Sequence, residues 1–80
     1  MPEVNIVLAK YGMNMAEAEV DQWLVGEGDL VTEGSEVCEI TTDKATIGVQ
    51  APASGTLKRV LVPNGATAEP GDILGIIESP

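Results

Sequence analysis

Lys44 is the residue of this chain whose type and setting point most directly to chemistry. It stands in the stretch TTDKATIG, between two segments rich in β-branched residues. The 80 residues contain only 4 lysines and arginines against 13 aspartates and glutamates. A lysine amine can solvate a surface, form a Schiff base or accept an acyl group. Cationic residues are rare in this chain, so the position of Lys44 between two strand-like segments needs an explanation.

Three interpretations of Lys44 compete. It is a solubilising lysine at a hairpin tip, loosely paired with Asp43, or a Schiff-base catalyst, or a residue that another enzyme modifies. A Schiff-base lysine needs burial or a neighbouring cation to lower its pKa, and the stretch offers neither. At an ordinary pKa of about 10.4, only about one amine in 2,500 is neutral at pH 7. Lys44 is therefore not expected to act as a nucleophile unaided, and the other two interpretations stay open.

The composition excludes several function classes. There is no histidine and a single cysteine, Cys38, so we predict no metal site, no disulfide framework and no imidazole triad. Cys38 alternates with Ile40 in EVCEI and is predicted to be a small buried hydrophobe. The net charge of -9 argues against nucleic acid and against an anionic membrane as partner. The same charge suits a soluble monomer. No signal peptide or transmembrane run is recognisable, which favours the cytoplasm as the compartment.

The elements that must position Lys44 are short strands. Runs typical of strands alternate with turns rich in Gly, Pro, Asn and Asp, a spacing that predicts an all-β sandwich or flattened barrel. The runs are VNIVLA, AEVDQWLV, EVCEIT, ATIGVQ, GTLKRVLV and DILGIIE. Lys44 lies between the third and the fourth run. We therefore predict a hairpin with the four turn residues Thr42, Asp43, Lys44 and Ala45 in a type I turn.

The chain also contains an internal repeat. A shift of 37 residues aligns Leu24 with Leu61 and Gly28 with Gly65. Each unit alone would leave an apolar face unburied, so two units are expected to pack face to face about a pseudo-twofold axis. The same shift places the lysine turn at the pole opposite the chain ends. The loop KYGMNMAEA after the first strand would then be its neighbour, and it is longer than its counterpart APAS.

The motif TTDKAT resembles the ETDKA attachment motif of lipoyl domains in the acyltransferase component of 2-oxo acid dehydrogenase complexes. Gly28 lies 16 residues before Lys44 and Gly55 lies 11 after it, as in that family, and YGMNMAEAEVDQWLV resembles its opening GLTMTEGTIVEWLV. The resemblance covers essentially the whole chain. It implies a flattened barrel of two four-stranded antiparallel sheets, with residues 1–78 as the lipoyl domain and 79–80 as the start of a flexible linker.

The resemblance implies a carrier without catalytic residues. Lys44 would hold lipoic acid in amide linkage, and Asp43 and Ala45 would flank it for recognition by a lipoate ligase or lipoyl transferase. The lipoyl-lysine arm would shuttle acyl groups and electrons between the thiamine-diphosphate decarboxylase (E1), the acyltransferase core (E2) and the dihydrolipoyl dehydrogenase (E3). The loop residues expected to contact the decarboxylase are Tyr11, Gly12, Met13, Asn14 and Met15.

The alternative is the biotin carboxyl carrier domain of a biotin-dependent carboxylase, which shares the fold and the hairpin lysine. That family has methionine on both sides of its lysine, whereas Asp43 and Ala45 stand here, so lipoylation is favoured. One departure is Thr41, since lipoyl domains often have glutamate three residues before the lysine. The bacterial cytoplasm is the expected compartment, or the mitochondrial matrix if a transit peptide has been removed. The 2-oxo acid stays open.

Overall fold

The computed structural model describes residues 2–10, 16–42 and 45–80, which form eight strands in two antiparallel sheets. The strands are β1 (Glu3–Val7), β2 (Ala18–Trp23), β3 (Leu30–Val31), β4 (Glu36–Thr41), β5 (Thr46–Gln50), β6 (Gly55–Val60), β7 (Thr67–Ala68) and β8 (Ile73–Glu78). One sheet has the order β1-β8-β6-β3 and the other β5-β4-β2-β7. The predicted all-β fold of two four-stranded sheets is confirmed.

The repeat in the sequence is also a repeat in the structure. Strands β2, β3 and β4 recur 37 residues later as β6, β7 and β8 with identical lengths. In β4 and β8 even the order of exposed and buried positions is the same. Strands β1 and β5 are 43 residues apart, because ten residues (8–17) follow β1 and only four (51–54) follow β5. The loop after β1 is therefore six residues longer than the loop after β5.

Two glycines join the halves through backbone hydrogen bonds. The Gly28 N–H donates to the Leu57 carbonyl at 2.7 Å, and the Gly65 N–H donates to the Val20 carbonyl at 2.7 Å. Both glycines have a left-handed backbone, with φ of 94° and 84°, which residues with a side chain rarely adopt. Each half thus donates a backbone hydrogen bond to a strand of the other half. Separating the halves would break these bonds and leave their donor and acceptor groups unpaired.

The space between the sheets is filled by aliphatic side chains from both halves. No polar or charged side chain of the described residues is buried. The buried set is Ile6, Leu8, Ala18, Val20, Val31, Val37, Cys38, Ile40, Val49, Ala51, Leu57, Ala68, Leu74 and Ile77. Trp23 packs against this cluster and donates its indole N–H to the Val62 carbonyl at 2.7 Å. The core is therefore closed at its edge by an aromatic ring whose polar group is satisfied.

The hairpin and the chain ends lie at opposite poles, as predicted. At one end of the molecule the Thr42 N–H donates to the Ala45 carbonyl at 2.8 Å. The corresponding bond of the other half joins the Ser79 N–H to the Pro2 carbonyl at 2.9 Å. The molecule measures 36 × 20 × 18 Å. Within the part of the chain that the structure describes, no helix has the length and hydropathy that a membrane crossing requires.

The sequence-based strand assignment differs from the structure in the number of strands and in where some of them end. The strands β3 and β7 were not predicted, because two residues are too few to show an alternating pattern. The runs through Val25 and Val62 were predicted too long, since β2 ends at Trp23 and β6 at Val60. Leu24 and Leu61 beyond these ends are 45% and 44% exposed and form part of the turns instead.

A matched pair of glycine substitutions tests how closely the strands approach. A methyl group at Gly55 would overlap the backbone carbonyl of Glu78, which cannot move without breaking the β6 to β8 pairing. A methyl group at Gly48 would meet only the carboxylate end of Glu36, which can rotate away. We expect Gly55→Ala to lower the free energy of unfolding by about 2 kcal/mol or more and Gly48→Ala by less than about 1 kcal/mol. Urea unfolding followed by Trp23 fluorescence measures both, and equal losses would contradict the close approach at Gly55.

Cys38 gives a pH-dependent test of the core. Its side chain is fully buried, as predicted, and burial raises the pKa of the thiol from 9.0 to about 11. The folded state therefore holds the thiol proton more tightly than the unfolded state, so this stability is present below pH 9 and is lost between pH 9 and 11. We expect Cys38→Ala to be about 1 to 2 kcal/mol less stable at pH 7, and this difference from the parent to narrow as the pH rises above 9. Rapid labelling of the native thiol at pH 8 would contradict the prediction.

Candidate functional site

The described ends of the β4 to β5 hairpin fix where the chain enters and leaves its turn. Thr41 and Thr46 form the last paired positions of the two strands. Beyond them the Thr42 hydroxyl accepts the Ala45 N–H at 3.2 Å and reaches the Ala45 carbonyl at 3.2 Å, in addition to the backbone bond between these residues. A threonine hydroxyl can donate and accept at once. One side chain thus closes the turn from both sides.

The predicted site residues are only partly covered by the structure. Ala45 is described and is exposed next to the turn. Asp43, Lys44 and the loop residues 11–15 lie outside the described residues. The attachment at Lys44, the role of Asp43, the type of turn and the contact role of the loop therefore stay predictions.

A cleft of about 470 Å³ lies beside the hairpin. The residues that line it are Ala16, Glu17, Ala18, Glu19, Thr41, Thr42 and Thr67. Ala16 and Glu17 are the described end of the loop after β1, so the predicted proximity of that loop to the hairpin is confirmed for this end. Across the outer face of the sheet, Glu19 is the register partner of both Thr41 and Thr67. The lining therefore combines three threonine hydroxyls with the carboxylates of Glu17 and Glu19.

Three side chains from three neighbouring strands are linked at the base of the hairpin. The Thr41 hydroxyl donates to the carboxylate of Asp21 on β2, and its oxygen lies 3.3 Å from the hydroxyl oxygen of Thr46 on β5. We call these residues the Asp21 network. Asp21 is the extra residue of a β-bulge, because Val20 and Gln22 pair with the consecutive residues Ile40 and Glu39. The bulge explains how the carboxylate comes to lie beside Thr41.

A corresponding set of residues lies at the pole of the chain ends. Lys58 is the bulge residue of β6, donates to the Glu3 carboxylate and lies 3.6 Å from the Glu78 carboxylate. We call Lys58, Glu3 and Glu78 the Lys58 cluster. Its members are the repeat partners of Asp21, Thr46 and Thr41. Equivalent positions thus carry a cation between two carboxylates at one pole and a carboxylate beside two hydroxyls at the other.

The Lys58 cluster has a consequence for modification. The hydrogen bond from Lys58 holds the pKa of the Glu3 carboxyl below its ordinary value of 4.5. The same hydrogen bond raises the pKa of the Lys58 amine above 10.5. A raised pKa lowers the fraction of neutral, nucleophilic amine at neutral pH. Lys58 is therefore a poorer acyl acceptor than an unpaired surface lysine.

The sequence analysis missed the Asp21 network. Asp21 looks like an ordinary exposed strand residue, and the bulge that directs it is not visible in the alternation of apolar residues. The available signal was the 37-residue repeat, which aligns Asp21 with Lys58 and hence marks a charge reversal. The described residues include no group of three or more His, Cys, Asp or Glu side chains that could hold a metal ion.

Comparison of the sequence with protein families gives a match over residues 4–77 to the Biotin_lipoyl family, described as "Biotin-requiring enzyme". A dihydrolipoyllysine-residue acetyltransferase component of the acetoin cleaving system of Pseudomonas putida is 38% identical over 72 residues, which are 90% of this chain. The corresponding component of the pyruvate dehydrogenase complex of Rhizobium meliloti is 42% identical over 62 residues, which are 78% of this chain. The chain spans 20% and 14% of the length of these two relatives.

The fold has a counterpart among solved structures. The solution structure of the lipoyl domain of the 2-oxoglutarate dehydrogenase complex from Azotobacter vinelandii superposes with a TM-score of 0.75. The match covers 95% of this chain and 98% of that domain, at 25% sequence identity. The similarity therefore extends over one entire small domain in both proteins.

The amine reactivity of Lys58 tests the pairing in the Lys58 cluster. We expect Glu3→Gln to raise the rate at which an N-hydroxysuccinimide ester labels Lys58 at pH 8 by at least about twofold, because loss of the carboxylate removes the main cause of the raised pKa. Peptide mapping by mass spectrometry gives the rate for each lysine. Lys10, which is exposed after β1, serves as the internal reference and should label equally in both proteins. An unchanged Lys58 rate would show that the ion pair does not protect the amine.

Proposed function

Because this chain belongs to the Biotin_lipoyl family, we propose that it is a lipoyl carrier domain in which Lys44 holds lipoic acid through an amide bond. The family membership confirms the resemblance found in the sequence. The relatives are dihydrolipoyllysine acetyltransferase components and the solved neighbour is a lipoyl domain, which favours the lipoyl carrier over the biotin carboxyl carrier. The chain is a carrier module and not the catalytic part of such an enzyme.

The observation that carries the proposal is the closed hairpin at one pole of the molecule. Thr42 and Ala45 hold the two ends of the turn together, while Pro2 and Ser79 pair at the opposite pole. By chain connectivity Lys44 is the residue before Ala45. A group attached there would lie at the hairpin pole, opposite the pole of the chain ends. Any chain that continues beyond the ends would then stay clear of the attached arm.

The described residues fit the attachment of a long flexible group. Ala45 and Thr46 are exposed, and the Thr42 hydroxyl hydrogen-bonds to Ala45 across the turn. The two hydrogen-bonded ends of the turn lose little further conformational entropy when a modifying enzyme binds them. Bound lipoic acid supplies a dithiolane that can accept an acyl group and two electrons. The protein's own residues contribute position, exposure and a rigid base.

The proposed partners follow from what the relatives are. The carrier would exchange acyl groups and electrons with a thiamine-diphosphate decarboxylase (E1), an acyltransferase core (E2) and a dihydrolipoyl dehydrogenase (E3) of a 2-oxo acid dehydrogenase complex. A lipoate ligase or lipoyl transferase would modify Lys44, reading Asp43 and Ala45 beside it. The loop residues 11–15 would contact the decarboxylase. We place these events in the bacterial cytoplasm, with the isolated domain as a monomer.

The proposal predicts a single site of lipoylation. Incubation with lipoate, ATP and a lipoate ligase should add one lipoyl group, and peptide mapping should place it on the peptide that contains Lys44. Lys44→Arg should abolish the modification, whereas the matched changes Lys10→Arg and Lys58→Arg should leave it intact. The positive charge is kept in all three variants, so only the loss of the acceptor distinguishes them.

A parallel reaction with biotin, ATP and a biotin ligase separates the two carrier types. Addition of biotin without lipoylation would replace the proposal by the biotin carboxyl carrier function. Failure of both reactions on folded protein would return Lys44 to the role of a surface lysine. Circular dichroism and the Trp23 fluorescence of the same samples establish that the protein is folded.

A further inference from the structure

We infer that Asp21 is a specificity-determining residue for the modification of Lys44, because its carboxylate places a negative charge at the base of the hairpin for the modifying enzyme to read. The inference rests on the proposed function and adds a recognition residue on a different strand from the turn. It concerns the binding of the modifying enzyme and assigns Asp21 no part in the chemistry.

The first argument is position. The β-bulge in β2 directs the Asp21 carboxylate to the hydroxyl of Thr41, which lies three residues before Lys44 in the chain. Asp21 is exposed, and Thr41 also borders the cleft beside the hairpin. An enzyme that binds over the described ends of the turn, Thr42 and Ala45, would therefore lie close to this carboxylate.

The second argument is charge. At the opposite pole, the repeat partner of Asp21 is Lys58, whose charge is balanced by Glu3 and Glu78. The partner that the structure gives Asp21 is the neutral hydroxyl of Thr41. All ion pairs found among residues 2–10, 16–42 and 45–80 involve Lys58. The charge of Asp21 is thus not balanced within the described residues, and it remains available to a basic side chain of another protein.

The third argument concerns position 41 itself. The motif that this hairpin resembles has glutamate where Thr41 stands here. A glutamate at this position would lie opposite Glu19 in register and beside Asp21, and like charges so placed destabilise a sheet. Threonine avoids the repulsion and donates a hydrogen bond to Asp21 instead. The carboxylate beside Thr41 is therefore that of Asp21, supplied from β2 and not from β4.

A purely structural role is the competing explanation. The Asp21 network links β2, β4 and β5 and could serve only to hold the hairpin rigid. The two roles need different parts of Asp21. A structural link needs an acceptor for the Thr41 hydroxyl, which an asparagine oxygen also provides, whereas recognition needs the charge.

The test compares charge with hydrogen bonding in steady-state lipoylation of the 80-residue protein by a lipoate ligase. We expect Asp21→Asn to raise KM for the protein by about tenfold at low ionic strength with little change in kcat. The increase should shrink at high salt, because screening weakens the lost attraction. Thr41→Val, which removes the hydroxyl and keeps the charge, should raise KM less. The double variant Asp21→Asn with Thr41→Glu should recover most of the loss, since it returns a carboxylate to the same surface.

Glu36→Gln is the matched control. Glu36 is exposed on the same sheet but lies at the start of β4, toward the pole of the chain ends. An equal KM increase in Glu36→Gln would show that only the net charge matters and would overturn the inference. So would an unchanged KM in Asp21→Asn, or a loss in Thr41→Val as large as in Asp21→Asn. Lipoylation of the parent protein with any of these results leaves the proposed function standing, whereas a parent that is not lipoylated overturns both.

Discussion

The structure depends on one constraint: neither half of the repeat can bury its own apolar face. Each sheet contains two strands from each half, so the two halves build both layers of the core together. The loop glycines Gly28 and Gly65 extend this dependence to the backbone, because each donates a hydrogen bond to a strand of the other half. A small domain buries a modest share of its surface and has little stability to spare. With both halves in place, every buried side chain among the described residues is apolar.

The pseudo-twofold arrangement also creates two equivalent poles that the chain uses differently. At one pole β1 and β8 meet without a covalent connection, and the Lys58 cluster joins them through ion pairs. At the other pole β4 and β5 are joined by the turn, so ion pairs are not needed to keep the strands together. The Asp21 network occupies the positions equivalent to the Lys58 cluster there. Because the turn already joins β4 to β5 covalently, no ion pair is needed to hold these strands together. The carboxylate of Asp21 is therefore available for another purpose.

The sequence predicted the architecture better than the site. The repeat, the strand runs and the burial of Cys38 could be predicted because they follow from the alternation of apolar residues and from an offset of 37 residues. The strands Leu30–Val31 and Thr67–Ala68 could not, because a pair of residues has no periodicity. The Asp21 network was invisible for a different reason. A β-bulge changes the direction of one side chain without changing the composition of its strand, and the hydrogen bonds to Thr41 and Thr46 exist only once three strands have assembled.

This separation of core from site has a physical basis. The buried positions hold only apolar side chains, and the polar groups of the hairpin base project from the outer face of the sheet. A change of charge at Asp21, Thr41 or Lys58 therefore alters only contacts on the surface. It leaves no buried polar group unpaired, and such unpaired groups are among the main causes of large losses of stability. The two bulge positions can carry opposite charges for the same reason. Both side chains are exposed, and only the side chains around them determine which charge is favourable. The fold thus determines where a charged side chain can lie at the base of the hairpin. The identity of one exposed residue determines whether that charge is positive or negative.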